Sequence, residues 1–352
     1  MPAIPCAPGD ITPAWLGEVL GMAIADVDVE PVGTGQTGAT YRVRPTRTDG
    51  RPTAPLIAKL PSQEADVRER VSLSYRAEHS FYANAADTVA VPLPVVHHCE
   101  VSEDCTEFVL LMDDLAPAVQ GDQLDGCGPA RARLAVEALA GLHGPRWCDP
   151  AWVEFPGVTM PKPTPDFAGG MGELARMATD ITLDKIGDRL DDEARATISA
   201  AADRITPWLG LEPDRFALLH GDYRLDNMLF TPGDSSITVV DWQTLTVGLP
   251  ARDLAYFVGT SLLPDVRRKH ERDLVDRYHA ALLTHGVGDY TAQDCWRDYR
   301  LGMLQIPLIT TLGYAFSAVT ERGDEMAATM LARGARALGD HDSLALVDEA
   351  VG

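Results

Sequence analysis

Cysteine and positive charge are both scarce in this chain. Six cysteines among 352 residues (Cys6, Cys99, Cys105, Cys127, Cys148 and Cys295) include no C-x2-C pair. That scatter argues against a zinc site or a disulfide framework and fits reduced thiols. Lysine and arginine total 30 against 52 acidic residues, a formal net charge of −22. Such a surface repels nucleic acid and anionic membranes, so neither is an expected partner. No stretch approaches the ~18 consecutive apolar residues of a membrane helix. Met1–Asp10 has no basic segment leading into an apolar one, so no signal peptide is expected. The expectation is a soluble, cytoplasmic protein. The G-x4-G-K-[ST] loop of P-loop nucleotide hydrolases is missing too, as are internal repeats and low-complexity tracts.

What is present is an ordinary globular composition, 45% hydrophobic and 23% charged, on a chain long enough for one bilobal unit. Thr12-Pro13 opens a short helix through Leu20, with Thr12 as its N-cap. Strand-like runs follow at Ala25–Val32, Thr40–Arg44 and Leu56–Leu60. A helix is expected over Glu64–Ala86, and further strands at Val95–Cys99 and Glu107–Met112. Beyond Asp113-Asp114 the pattern turns helical, over Pro129–His143 and segments 170–189, 191–207, 265–285, 291–319 and 322–337. Two short strands near Met228–Phe230 and Ile237–Val240 interrupt it. The expected fold class is α+β and bilobal: an antiparallel β-rich N-lobe (1–112), a hinge (113–118) and a larger, mainly helical C-lobe (119–352).

Within the helical half, His220-Gly221-Asp222-Tyr223-Arg224-Leu225-Asp226-Asn227 is followed by Val239-Val240-Asp241-Trp242. A carboxylate, an amide five positions on, and a second carboxylate ending an apolar strand match a kinase-like catalytic loop with its two metal ligands. Asp222 would accept or orient the proton of a substrate hydroxyl. Asn227 and Asp241 would offer Mg²⁺ the hard oxygens it prefers. His220 reads as a brace and Asp253 as a helix cap that steadies the loop. Gly33-Thr34-Gly35-Gln36-Thr37-Gly38 fits G-x-G-x-x-G. Because it leads into a strand and not a helix, it reads as a lid over phosphates, with Gly33, Gly35 and Gly38 allowing close backbone approach. Lys59 is the one charged residue in the run Leu56–Leu60, and a kinase-type strand would aim it at phosphates with a glutamate from the next helix beside it. Glu78, three and four residues before Phe81 and Tyr82, fits that part better than Glu64 or Glu69, which sit among charged neighbours. Met112 and Asp113 begin the connector that would lie against an adenine edge. Asp113 and Asp114 could instead simply cap the turn.

Together, HGDYRLDN, VVDWQ, LIAK, Glu78 before Phe81-Tyr82 and the glycine loop resemble the aminoglycoside phosphotransferase-like enzymes of protein-kinase-like fold, over nearly the whole chain. Thr12–Leu20, Gly121–Leu124 and Leu139–Trp147 look like the ecdysteroid-kinase-like (CHK-kinase-like) branch. The resemblance implies ATP-dependent phosphorylation of a small-molecule hydroxyl. It implies Asp222 as base, Asn227 and Asp241 as Mg²⁺ ligands, and Lys59 with Glu78 as a phosphate clamp. Tyr223-Arg224-Leu225-Asp226 and Trp242-Gln243 depart from the antibiotic kinases and weaken the case for an aminoglycoside acceptor. Phe167, Met171, Trp296, Tyr299, Tyr314 and Phe316 outnumber the acids in segments expected to shape the pocket, which suits an apolar or steroid-like alcohol. Two other readings stand beside this one: an aminoglycoside O-phosphotransferase and a nucleotide-binding module without catalysis. A protein kinase is disfavoured, since no A-P-E follows Asp241.

Overall fold

A computed structural model describes residues 3–32, 38–211, 214–317 and 320–352. Gly33 and Gly35 lie outside these segments, so only Gly38 of the glycine loop is described. The chain opens with α1 (Pro13–Leu20), whose first turn is closed by the Thr12 hydroxyl accepting from the Trp15 N–H and whose end is turned by Gly21. An antiparallel sheet follows, built from β1 (Ile24–Pro31), β2 (Gly38–Arg47), β3 (Leu56–Pro61), β4 (Val96–Val101) and β5 (Phe108–Asp113) in the order β1-β2-β3-β5-β4. Val43, Leu56, Ala58, Leu60, Val109 and Leu111 bury one face of it against Trp15 and Leu16 of α1. Lys59 alternates with Ala58 and Leu60, so its side chain leaves by the other face.

The helix expected over Glu64–Ala86 is two helices, α2 (Ala65–Arg70) and α3 (Ser72–Asn84), broken at Val71. The first buries none of its residues. The second buries Tyr75, Ala77, Glu78, Ser80 and Phe81, so only α3 is held by packing. Tyr75 stacks on Phe108 of the sheet, while Ala77 and Phe81 join the large core of the helical half.

The helical half comprises α4 (Pro129–His143), α5 (Pro165–Ile186), α6 (Asp192–Ala202), α7 (Ile205–Gly210), α8 (Ala251–Ser261), α9 (Pro264–Thr284), α10 (Ala292–Gly302), α11 (Gln305–Ala315), α12 (Glu321–Asp340) and α13 (Ser343–Val351). Short strands β6 (Val119–Gln120), β7 (Ala217–Leu219), β8 (Met228–Phe230), β9 (Ile237–Val239) and β10 (Thr246–Gly248) pair as β6-β8-β9 and β7-β10. Segments 191–207 and 291–319, each expected as one helix, are each divided, for one reason. Pro207 and Pro307 are the third residues of α7 and α11, in the first turn, where a missing N–H costs no intrahelical bond. A helix running unbroken from Asp192 to Gly210, or from Ala292 to Ala315, would have placed Pro207 or Pro307 beyond the first turn. α8 is buried along its whole length and is the centre of this half. Among the described residues, no helix is long and apolar enough to cross a membrane.

Candidate active site

The loop after β7 is held before any of its side chains acts. Gly221 has φ +82°, and a Cβ there would come within 2.0 Å of the Thr244 carbonyl oxygen, so this turn requires glycine. The N–H groups of His220 and Gly221 donate to the two carboxylate oxygens of Asp253 on α8, at 2.7 and 3.1 Å. His220, fully buried, reaches the Val240 carbonyl at 3.1 Å and accepts from the Asp222 N–H. The Tyr223 hydroxyl donates to the Ala135 carbonyl of α4. His220 therefore acts as a brace, and so does Asp253, which is not the expected helix cap but the third residue of α8.

Asp222 projects from this frame, about one-fifth exposed. Its Oδ2 accepts from Arg224 Nε at 2.8 Å and from Asn227 Nδ2 at 3.2 Å. Its Oδ1 accepts from the Tyr256 hydroxyl at 2.9 Å. Asn227 also donates to the Asp222 carbonyl at 2.9 Å. Arg224 continues to Asp226 Oδ2 at 2.9 Å, and the same Nη1 lies 2.8 Å from Met326 Sδ of α12. Burial works against the guanidinium charge, but Asp222, Tyr256 and Asp226 outweigh it and hold its pKa above the ordinary arginine value.

Lys59 lies opposite, bonded at 2.8 Å to both Glu78 Oε2 and Asp241 Oδ1. Glu64, just before α2, and Glu69 within it are both exposed, and the ion pairs of Lys59 are with Glu78 and Asp241 instead. Burial disfavours the ammonium, yet Asp241 and Glu78 hold its pKa well above the usual lysine range. Glu78 is raised, first by burial and also by Asp241, against the pull of Lys59. Asp241 is lowered: burial opposes this, and Lys59 overcomes it. Gln243 donates to Glu78 at 3.2 Å, and Trp242 stacks flat on Phe81 of α3, with ring centroids 3.6 Å apart and an interplanar angle of 4°. Asp241 itself has φ +70°, a left-handed backbone that costs a non-glycine residue energy and recurs at functional positions.

The remaining expected residues lie along the sheet. Gly38 opens β2 opposite Pro61 of β3. Met112 pairs with Ile57 and Val96. The N–H groups of Asp113 and Asp114 are taken by the Val95 and Pro55 carbonyls, so any adenine contact by Asp113 would use its own carbonyl or carboxylate. The Asp113 carboxylate meets His97, and Asp114 pairs with Arg42 of β2 at 2.6 Å.

Trp296 and Tyr299, expected near the pocket, belong to a separate buried cluster with Glu271 and His341. Two supporting residues escaped the motif reading, Tyr256 and Arg333, and a third, Gln123, lay in the Gly121–Leu124 segment without an assigned role. Gln123 receives the Leu225 N–H on its side-chain oxygen and donates its own N–H to Asp226, both at 3.0 Å, and its amide reaches Thr260. Arg333 of α12 caps the carbonyls of Gln123, Leu124 and Thr260. Gly121 lies so close to Leu225 that a Cβ would be 2.7 Å from its carbonyl oxygen. The signal for Tyr256 was present: Asp253, Tyr256 and Thr260 are spaced three and four apart in an apolar helix, one polar stripe under the loop.

The donor set suits a hard cation. Asn227 spends its amide nitrogen on Asp222, leaving its carbonyl oxygen as the remaining polar atom, and the Asp241 carboxylate is 39% exposed. Among the described residues no group of three or more His, Cys, Asp or Glu could form a protein cage for a metal. Mg²⁺ rarely uses one, being held by one or two protein oxygens with waters and phosphates completing its shell.

The model of the APH phosphotransferase enzyme family matches residues 28–299. A provisionally assigned aminoglycoside phosphotransferase of Ralstonia eutropha JMP134 superposes with a TM-score of 0.57 at 16% identity, covering 93% of this chain and 97% of its own. A choline kinase of Cryptosporidium parvum does so at 0.54 and 11% identity, over 92% and 89%. These likenesses establish the shared bilobal fold. Among curated proteins, acyl-CoA dehydrogenase family member 11 of Gallus gallus is 31% identical over 174 residues, 47% of this chain and 20% of its own length. Family member 10 of Mus musculus is 40% identical over 111 residues, 29% of this chain and 9% of its own. The match to this chain thus spans a fifth or less of either relative.

Proposed function

Because the chain belongs to the APH phosphotransferase enzyme family, we propose that it is an ATP- and Mg²⁺-dependent phosphotransferase acting on a hydroxyl group of a small molecule. The observation that carries this reading is a pair of clusters, Lys59 between Glu78 and Asp241, and Asp222 beside Asn227, on segments joined where the Val240 N–H donates to the Asn227 carbonyl. Catalysis of phosphoryl transfer is mostly positioning and charge neutralisation, and these two clusters divide that work. Lys59, fixed by Glu78, would neutralise phosphate oxygens. Asn227 and Asp241 would hold Mg²⁺, which when bound offsets the negative charge of the transferring phosphate. Asp222 would receive the proton of the acceptor hydroxyl. Gly33, Gly35 and Gly38 would close over the phosphates, and Met112 and Asp113 would border the adenine.

For the acceptor we favour an apolar alcohol over an amino sugar. A polycation calls for several unpaired carboxylates, whereas Asp222 and Asp226 are both tied to Arg224, with Met326 alongside. The names of the curated relatives add hydroxyl-bearing acyl-CoA thioesters to the classes worth assaying. The features shared with the ecdysteroid-kinase-like branch at 121–124 fit the same assignment, since Gln123 there secures the catalytic loop.

The test is a thermal-shift titration with ATP, with and without Mg²⁺, followed by ADP-release assays. The acceptor panel contains apolar alcohols, sterols, hydroxyacyl-CoA thioesters, choline, ethanolamine and aminoglycosides. Mg²⁺-dependent ATP binding with transfer to an apolar hydroxyl compound is expected. Faster transfer to aminoglycosides would favour the antibiotic-kinase reading, and binding without transfer to any acceptor or to water would favour the non-catalytic module. A protein that binds no nucleotide would refute the proposal.

A further inference from the structure

An ionised carboxylate has about four lone-pair positions, two on each oxygen. On Asp222, Oδ2 is filled by Arg224 Nε and Asn227 Nδ2, and Oδ1 carries a single bond from the Tyr256 hydroxyl. Among the described residues, one position on Oδ1 therefore remains. Tyr256 is 2% exposed and sits three residues from Asp253, which binds the backbone of the same loop. One helix face thus fixes both the backbone and the carboxylate of the catalytic loop. Burial and the neighbouring Asp222 keep the Tyr256 phenol well above its ordinary pKa, so it stays a donor.

We propose, building on the phosphotransferase reading, that Tyr256 is a positioning residue that reserves Asp222 Oδ1 for the acceptor. The acceptor hydroxyl donates to the open position on Oδ1. As its oxygen lone pair forms the new bond to the γ-phosphorus, the O–H bond breaks and its proton passes to Oδ1. The bond from the γ-phosphorus to the bridging oxygen breaks, and its electrons leave with ADP. Tyr256 holds the carboxylate rotation that presents Oδ1, while Arg224 and Asn227 keep Oδ2 out of the reaction. Arg224 and Asp226 on the loop, His220 before it and Lys59 with Asp241 opposite set the surrounding charge.

The test uses the full chain and ADP release from Mg·ATP with water as acceptor, so no acceptor need be known. Tyr256→Phe removes one hydrogen bond to a charged group and is expected to lower kcat by about tenfold, with KM for ATP unchanged. On an Asp222→Asn background the same change should cost nothing further, because the two residues act through one bond. If Tyr256→Phe retains wild-type kcat while Asp222→Asn is impaired, the proposal falls and the general-base reading stands. The same holds if Tyr256→Phe costs an equal factor with and without Asp222. Wild-type turnover in Asp222→Asn would instead overturn the base assignment itself. Should Tyr256→Phe fail to fold, 3-fluorotyrosine at position 256 keeps the shape and changes only the donor strength. Altered kcat at constant ATP KM is then expected, and unchanged kcat refutes the proposal.

Discussion

Lys59 and Arg224 are both partly buried cations between two carboxylates, yet they are assembled from opposite kinds of sequence distance. Arg224 finds Asp222 and Asp226 two residues to either side of itself. Lys59 takes Glu78 from the next long helix and Asp241 from 182 residues away. The first cluster is a property of one loop, braced by α8 and Gln123. The second exists only when β3, α3 and the segment after β9 are all in place. It therefore reports on the closure of the whole fold, while the Arg224 cluster reports on local chemistry.

Substitutions can break this contrast. The largest effect belongs to Asp222→Ala, expected to cut turnover by roughly two to four orders of magnitude while ATP affinity, read by calorimetry, changes little. Comparable loss of nucleotide affinity would mean that the two clusters are not functionally separate. Lys59→Ala should act in the opposite sense. It leaves Glu78, 1% exposed, and Asp241 without their cation, and removal of one partner of a buried pair costs about 3–5 kcal/mol. Chemical denaturation should show that loss, and ATP KM should rise. A variant of native stability would indicate that Glu78 discharges by taking up a proton, consistent with its raised pKa.

Gln123→Ala sharpens the comparison from the loop side. It strands the Leu225 N–H and removes partners of Thr260 and Ser261, a cost of about 1–3 kcal/mol for the buried group left unpaired. Turnover should fall with stability, and ATP KM should hold. The smallest effect is expected from Arg42→Ala. Its pair with Asp114 joins β2 to the connector but is partly exposed, so the change should cost under about 1 kcal/mol and leave kcat unaltered.

Both clusters were unequally legible in the chain. Lys59, Glu78, Asp222, Asn227 and Asp241 stand out because reactive side chains at fixed spacing are rare among apolar residues, and the structure gathers them into two clusters, Lys59 with Glu78 and Asp241, and Asp222 with Asn227. The sheet was readable from alternation, and most helices from their periodicity. What periodicity could not mark were the breaks just before Pro207 and Pro307, since the apolar pattern runs on through each while a residue without an N–H fits only the first turn of a new helix. The roles of Gln123 and Arg333 were illegible for another reason. Each works through backbone groups of residues far off in the chain, and only the folded path defines those partners. Tyr256 lies between these cases, visible as one tooth of the 253–256–260 stripe but carrying no motif of its own.

The face-to-face pair of Phe81 and Trp242 has a consequence for motion. Any swing of α3 that withdrew Glu78 from Lys59 would have to peel those two buried rings apart and expose their apolar faces to water. Glu78, Trp242 and the adjoining Asp241 should therefore travel as one piece, and opening of the cleft would leave the clamp intact. The indole at position 242 doubles as a strain gauge. Its fluorescence should stay constant as nucleotide enters and change only when the clamp is pulled apart.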